Sequence, residues 1–179
     1  YRKLDMDKVS NDFEFLKTVL CEFVSQKHIT NRLNAIYSCD ITGWENWLQV
    51  ELGLFFNEHP EIKEWNREQR HDLDKRKHSI HNTAAIDFYI RQKYKQSAIP
   101  LEIKQHFEAS VCINSMANDI EKFEKIKQSD SITDRALWCM GIHRQVEEDY
   151  ARRLVANKGF DKYVLVYPIK KTEYMMTLF

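Results

Sequence analysis

The stretches TAAIDFYIRQ, residues 83–92, and AIPLEIKQ, residues 98–105, decide how this chain is read. Apolar and polar residues alternate through the first, and the second is a short apolar run behind a Pro, so both are expected to be strands. A period of two puts Ile86, Phe88 and Ile90 on one face of the first strand and Ala85, Asp87 and Tyr89 on the other. The same rule puts Leu101 and Ile103 on one face of the second strand, and Glu102 and Lys104 on the other. If the two strands pair, Asp87 and Glu102 converge on one face with Lys104 beside them.

Outward from this pair the chain is mostly helical on one side and mixed on the other. Val9, Phe13, Leu16, Leu20, Phe23 and Val24 recur at helical spacing over about 7–27, a second helix is expected within 29–39, and Thr42 precedes a strong helical pattern over 44–57. Beyond the strands, Ile113, Met116, Ile120, Phe123 and Ile126 form a helical stripe. RALWCMGI (135–142) reads as a strand, RQVEEDYARRLVANKG (144–159) as a helix closed by Gly159, and KYVLVYPI (162–169) as a last strand stopped at Pro168. Helices first, then three strands, helix, strand, helix and strand give an α/β fold, a mixed β-sheet flanked by helices with an N-terminal helical segment. The 179 residues fit one domain.

Composition narrows the class. Hydrophobic residues make up 43% and charged residues 30%, which excludes wholesale disorder, and no apolar run approaches a bilayer span. No membrane association is expected. The charged amino end carries no signal-peptide apolar region, so a cytoplasmic location is expected, although without a starting Met the chain could have lost a leader. Cys21, Cys39, Cys112 and Cys139 are scattered, with no CxxC pair, and read as reduced thiols. The 27 basic and 27 acidic residues cancel, so the chain as a whole is no polyanion sponge. A local basic run, Arg91, Lys93 and Lys95 with Lys104 beyond, could meet a polyanion, though such runs are usually solvated faces.

Two adjacent carboxylates repel, and one stays protonated unless a cation lies between them; a hard divalent ion such as Mg²⁺ suits oxygen ligands. A third acid, Glu51, falls in the middle of the apolar stripe Trp44, Trp47, Leu48, Leu54 and Phe55. A carboxylate buried there needs a partner, whether a base, a donor or a metal. It could join Asp87 and Glu102 if its helix packs on the sheet, with Glu45 as its competitor.

The pattern D-x(14)-E-x-K, with a glutamate on a preceding helix, resembles the PD-(D/E)XK nuclease superfamily, the restriction-endonuclease-like fold. The resemblance covers roughly 43–128 and implies a nuclease core over 43–179, with 1–42 as an N-terminal helical extension. By motif, Asp87 matches the metal-binding aspartate, Glu102 and Lys104 the E-x-K pair, Glu51 the helical glutamate and Gln105 the polar residue that some members carry after the lysine. Ile86 stands where the family has a proline. The resemblance implies Mg²⁺, with Mn²⁺ able to substitute, held by Asp87, Glu102, Glu51 and the Ile103 carbonyl. It further implies hydrolysis of a phosphodiester, in DNA rather than RNA, by an endonuclease. A homodimer or a partner protein could supply specificity, since the chain is short for a separate reader.

Plainer readings stand beside these. The three motif residues could form a surface salt bridge, and the fold could be an idle module that binds nucleic acid or protein without turnover. His71, His78, His81 and His106 invite zinc, but no Cys lies near to complete a structural site. Asn114, Asn118 and Asp119 on the 113–128 helix could face the substrate, while Trp138, Tyr163 and Tyr167 read as core.

Overall fold

A computed structural model describes residues 6–67, 86–129 and 135–179. His71, His78 and His81 therefore lie outside the described residues. Three helices open the chain: α1 (Met6–Val24), α2 (Lys27–Ser38) and α3 (Glu45–Glu58). They are followed by β1 (Ile62–Arg67), β2 (Phe88–Gln92), β3 (Ile99–Gln105), α4 (Ala109–Ser129), β4 (Trp138–Arg144), α5 (Glu148–Ala156), β5 (Leu165–Pro168) and β6 (Tyr174–Leu178). The strands form one six-stranded sheet in the order β1-β2-β3-β4-β6-β5. Only β3 and β4, joined through α4, run parallel; the other neighbours are antiparallel. A helix between parallel strands is the connection that geometry requires.

The alternation seen in the sequence sorts the sheet into two faces. Phe88, Ile90, Leu101, Ile103, Met140, Ile142, Met176 and Leu178 share one core with Leu16, Leu20 and Phe23 of α1, Ile29 and Leu33 of α2, and Leu48, Leu52 and Phe56 of α3. Cys139 faces the other way, into a second core with Cys112, Ile113, Met116, Ile120 and Phe123 of α4 and Val155 of α5. The sheet is thus flanked by helices on both faces, as the coarse fold class requires. The first helices share in the main core through Leu16, Leu20, Phe23, Ile29 and Leu33. Buried in it is an ion pair between Asp12 of α1 and Arg135, whose Nε also donates to Ser97 Oγ at 2.8 Å.

One strand escapes the sequence reading. YMMTL (174–178) forms β6, buried throughout between β4 and β5. A fully buried strand shows no alternation, and its two methionines carry little strand preference, so periodicity gives no signal there. The edge strand β1 is a different case: Lys63, Glu64, Asn66 and Arg67 make it polar, the usual character of an unpaired sheet edge.

Two positions fix how closely the layers approach. Gly141 of β4 lies under α4, where an added Cβ would sit 2.4 Å from Met116 Sδ and 2.8 Å from Cys112 Sγ. All four cysteines are free thiols, and burial pushes Cys112 up to about 12, so it acts as packing rather than as a nucleophile. His143 of β4 is fully buried, its Nδ1 2.8 Å from the Arg144 carbonyl and its Nε2 2.8 Å from Thr177 Oγ1. A carbonyl only accepts, so Nδ1 carries the proton and Nε2 accepts from the Thr177 hydroxyl. Burial lowers the His143 pKa, against a smaller opposing effect of the Arg144 carbonyl.

Gly141→Ala is expected to cost about 1–3 kcal/mol in urea unfolding, because α4 must shift to admit the methyl group. For His143 the lowered folded-state pKa means that the unfolded chain binds the extra proton first. Its contribution is therefore held above the unfolded value near 6.5 and lost as pH falls below it. The stability advantage of wild type over His143→Gln is expected to shrink between pH 7.5 and pH 5; a pH-independent difference would refute this.

Candidate active site

Asp87, immediately before β2, and Glu102, within β3, meet where these strands lie side by side. Asp87 Oδ2 accepts from the Ile103 N–H at 2.8 Å, and the Asp87 N–H donates to Glu102 Oε2 at 3.2 Å. Each carboxylate thereby accepts a backbone N–H from the neighbouring segment, Glu102 from Asp87 itself and Asp87 from Ile103. Lys104 shares their side of β3. Its Nζ lies 2.8 Å from Glu102 Oε1 and 2.9 Å from Asp119 Oδ2 of α4. In the parallel register Lys104 sits opposite Gly141, over which Met116 and Cys112 of α4 pack closely.

α3 closes the site from the other direction. Gln49 Nε2 donates to Asp87 Oδ1 at 2.8 Å, and its Oε1 accepts from Arg67 Nη2 of β1 at 2.7 Å. Glu45, one turn earlier, accepts the Gln105 N–H at 3.0 Å. Glu45 and Gln49 are four apart and so share one face of the helix. Gln105 is brought to the rim of the site, held by its backbone.

Glu51 is not brought there, which corrects its placement as the helical member of the set. Its Oε1 accepts the Trp47 indole N–H at 3.1 Å, and its Oε2 lies 3.5 Å from His28 Nε2 of α2. The carboxylate is a quarter exposed, so its demand for a partner is met on its own helix and at the surface. Arg91, Lys93 and Lys95 likewise lie away from the acids. Arg91 Nε donates to Glu64 Oε1 at 2.6 Å, and the lysines occupy the β2–β3 turn. Six residues of extended chain separate Lys93 from Asp87, about 20 Å. His106 follows Gln105, and its Nδ1 accepts the Glu108 N–H at 3.0 Å, an ordinary turn contact.

The electrostatics follow from burial and crowding. Burial pushes Asp87 up to about 7, and the charges of Glu102 and Glu45 add to the rise against the Ile103 N–H and Lys104. Burial also raises Glu102, while the charge and hydrogen bond of Lys104 pull it back. Burial alone would depress Lys104, yet Glu102 and Asp119 more than reverse this and keep it an ammonium ion. Asp119, less buried, is held below the usual carboxylate range by Lys104 and Lys122 despite its desolvation. Lys104 is thus bonded directly to two acids, Glu102 and Asp119, with Asp87 and Glu45 close enough to raise the local negative charge.

The donor set suits a hard cation. Asp87, Glu102 and Glu45 offer carboxylate oxygens, and the raised Asp87 marks negative charge that a cation would relieve. The Ile103 N–H points to Asp87, and a strand residue's C=O points to the same side as its N–H, so the Ile103 carbonyl faces that edge too. Among the described residues no three His, Cys, Asp or Glu side chains form a ready-made metal cage. Asp87 Oδ1 and Oδ2 instead accept from Gln49 and Ile103, and Glu102 Oε1 and Oε2 from Lys104 and Asp87. Each of these oxygens retains a second lone pair.

Sequence reasoning missed Gln49 and Arg67 as supports of Asp87. The signal was the i, i+4 pair Glu45 and Gln49, polar groups on a helix otherwise judged by its apolar stripe. Lys104→Met is expected to cost about 3 kcal/mol in metal-free buffer, because it strands two sheltered carboxylates. Lys122→Met, two-thirds exposed on the same Asp119, should stay within about 0.5 kcal/mol of wild type by urea unfolding. Equal costs for the two would sink the assignment of Lys104 as the central counter-ion. No family model, curated protein or solved structure matches this chain, so what the site can do has to be read from its residues and their geometry.

Proposed function

We propose that this chain is a Mg²⁺-dependent nuclease with a restriction-endonuclease-like core, hydrolysing phosphodiester bonds of DNA as an endonuclease. The observation that carries this reading is the meeting of Asp87 and Glu102 on adjoining chain segments, with Lys104 ion-paired to Glu102 at 2.8 Å. Asp87 and Glu102, with the Ile103 carbonyl, would hold the ion, and Glu45 replaces Glu51 as the helical carboxylate beside them. Mg²⁺ bound there supplies Lewis-acid activation of the phosphate and of the attacking water. Mn²⁺, which accepts the same oxygen donors, is expected to substitute.

The chain's own groups have distinct tasks. Gln49 and the Ile103 N–H fix both oxygens of Asp87, so the carboxylate is oriented before any ligand arrives. Lys104 spends two of its three N–H groups on Glu102 and Asp119, leaving the third to meet the phosphate or the attacking water. Its charge is fixed by those acids, so it stabilises the negative charge that develops in the transition state. Asp119 is thereby a positioning residue, acting through Lys104. No helix among the described residues is long and apolar enough to cross a membrane, which agrees with a substrate met in water.

Cleavage of plasmid, linear and single-stranded DNA tests this, with Mg²⁺, Mn²⁺ or EDTA. Wild type is expected to cut with either metal and not in EDTA, and Asp87→Ala to be slower by at least about 10²-fold. Cutting that persists in EDTA, or in Asp87→Ala at the wild-type rate, would overturn the assignment. No cutting in any lane, with no rise in Tm on adding the metals, would favour a nucleic-acid or protein binding module.

A further inference from the structure

A cavity of about 630 Å³ opens where β3 ends, lined by Gln105 and by none of Asp87, Glu102 and Glu45. Its walls come from the end of α2 and the loop after it, from Trp44 at the start of α3, from Gln105–Phe107 after β3 and from Arg144 at the end of β4. Gln105 belongs to both places: its backbone is held by Glu45 of the site, and it lines the cavity. Phe107 is three residues beyond Lys104, at most about 10 Å along the chain.

The lining is aromatic and carries one built-in cation. Trp44 meets Tyr174 edge to face at 5.5 Å between ring centroids, and Tyr174 meets Tyr37 at 6.1 Å. The Arg144 guanidinium lies 4.5 Å from the Phe107 ring centroid and 5.1 Å from that of Tyr37, and it donates to the Tyr37 hydroxyl. Phe107 remains 46% exposed. Trp44 and Tyr174 are buried in the main core, so the face on which an unpaired base can stack is that of the exposed Phe107 ring, backed by the Arg144 guanidinium. A cationic ligand would instead meet the charge of Arg144. The Asp40 carboxylate and Thr42 hydroxyl, also in the wall, provide groups that can hydrogen-bond a base edge.

The volume falls within the range of about 300–1,000 Å³ that holds a small molecule or one nucleotide, and excludes a stacked duplex. A paired base could enter only by leaving its stack, at a cost of a few kcal/mol. We infer that this cavity binds an unpaired nucleobase of the DNA strand being cut, a nucleotide or two from the scissile phosphate. Single strands, frayed ends and flaps then become the preferred substrates. This inference rests on the nuclease reading and specifies its substrate.

Anisotropy with a labelled single strand of about 15 nucleotides, and with the same sequence as duplex, tests it, Ca²⁺ replacing Mg²⁺. Wild type is expected to bind the single strand at least roughly 10-fold tighter than the duplex. Phe107→Ala should weaken single-strand binding by about 5–150-fold, the worth of one stacked base, and leave duplex binding within about 2-fold. Arg144→Lys keeps the charge but loses the plane, and should show the same selective loss. Equal binding of the two DNA forms by wild type, no binding of the single strand, or single-strand affinity unchanged in both variants would overturn the inference. Metal-dependent cutting lost in Asp87→Ala would still stand in each of those cases, so the two readings fail separately.

Discussion

Two carboxylates held side by side away from water set the terms for everything around them. Across the β2–β3 junction the Asp87 N–H donates to the Glu102 carboxylate and the Ile103 N–H donates to the Asp87 carboxylate, so the position of each acid depends on the other strand. Left alone, such a pair would keep one proton. The fold answers with one ammonium, Lys104, itself secured by Asp119 from α4 on the far side. Gln49 and Arg67 complete the answer from α3 and β1. Elements that are distant in sequence are therefore tied together at a single polar point between two apolar cores. Replacing buried charges of this kind by well-packed apolar groups is often neutral or stabilising, so stability alone does not account for the cluster.

The sheet explains why that point can exist at all. Period-two alternation sends Leu101 and Ile103 into the main core and turns Glu102 and Lys104 to the face of α4. On that face Gly141 lets Met116 and Cys112 of α4 pack directly on β4, in register with Lys104. A glycine in a central strand weakens it, and here the weakness has a use, since it lets α4 lie close enough for Asp119 to reach Lys104.

Much of this was legible in sequence because it depends on local rules. The faces of β3, the stripes of α1 and α4 and the shared side of Glu102 and Lys104 follow from periodicity. Ile86, ahead of β2, instead packs in the second core apart from Phe88 and Ile90, and α3 buries Leu48, Leu52 and Phe56 and leaves Leu54 exposed. Glu51 shows where such rules end. Its place on an apolar stripe correctly demanded a partner, but periodicity cannot say which one, and the Trp47 indole one turn away answered the demand locally. Gln49 is buried on the face that Leu48, Leu52 and Phe56 turn to the sheet, not on the stripe read from sequence, and this rotation of α3 brings Glu45 and Gln49 to Gln105 and Asp87. The lysines after Asp87 illustrate the same limit in reverse. Proximity in sequence along an extended strand is distance in space, so Lys93 and Lys95 belong to the opposite end of the sheet.

The position of the aromatic cavity follows from this geometry too. β3 ends its pairing with β4 at Gln105, and the chain must leave the sheet before it can enter α4. The residues that make this exit, His106 and Phe107, therefore stand at the strand ends, on the side where α3 begins and where Arg144 closes β4. The backbone N–H of Arg144 donates to the Phe107 carbonyl at 3.0 Å, which fixes the exit segment against the end of β4. A strand carrying Glu102 and Lys104 thus delivers, within the next three residues, an aromatic ring seated on a guanidinium. The Glu102–Lys104 pair and the exposed ring are consecutive on one segment, so a shift of β3 that misplaced one would misplace the other.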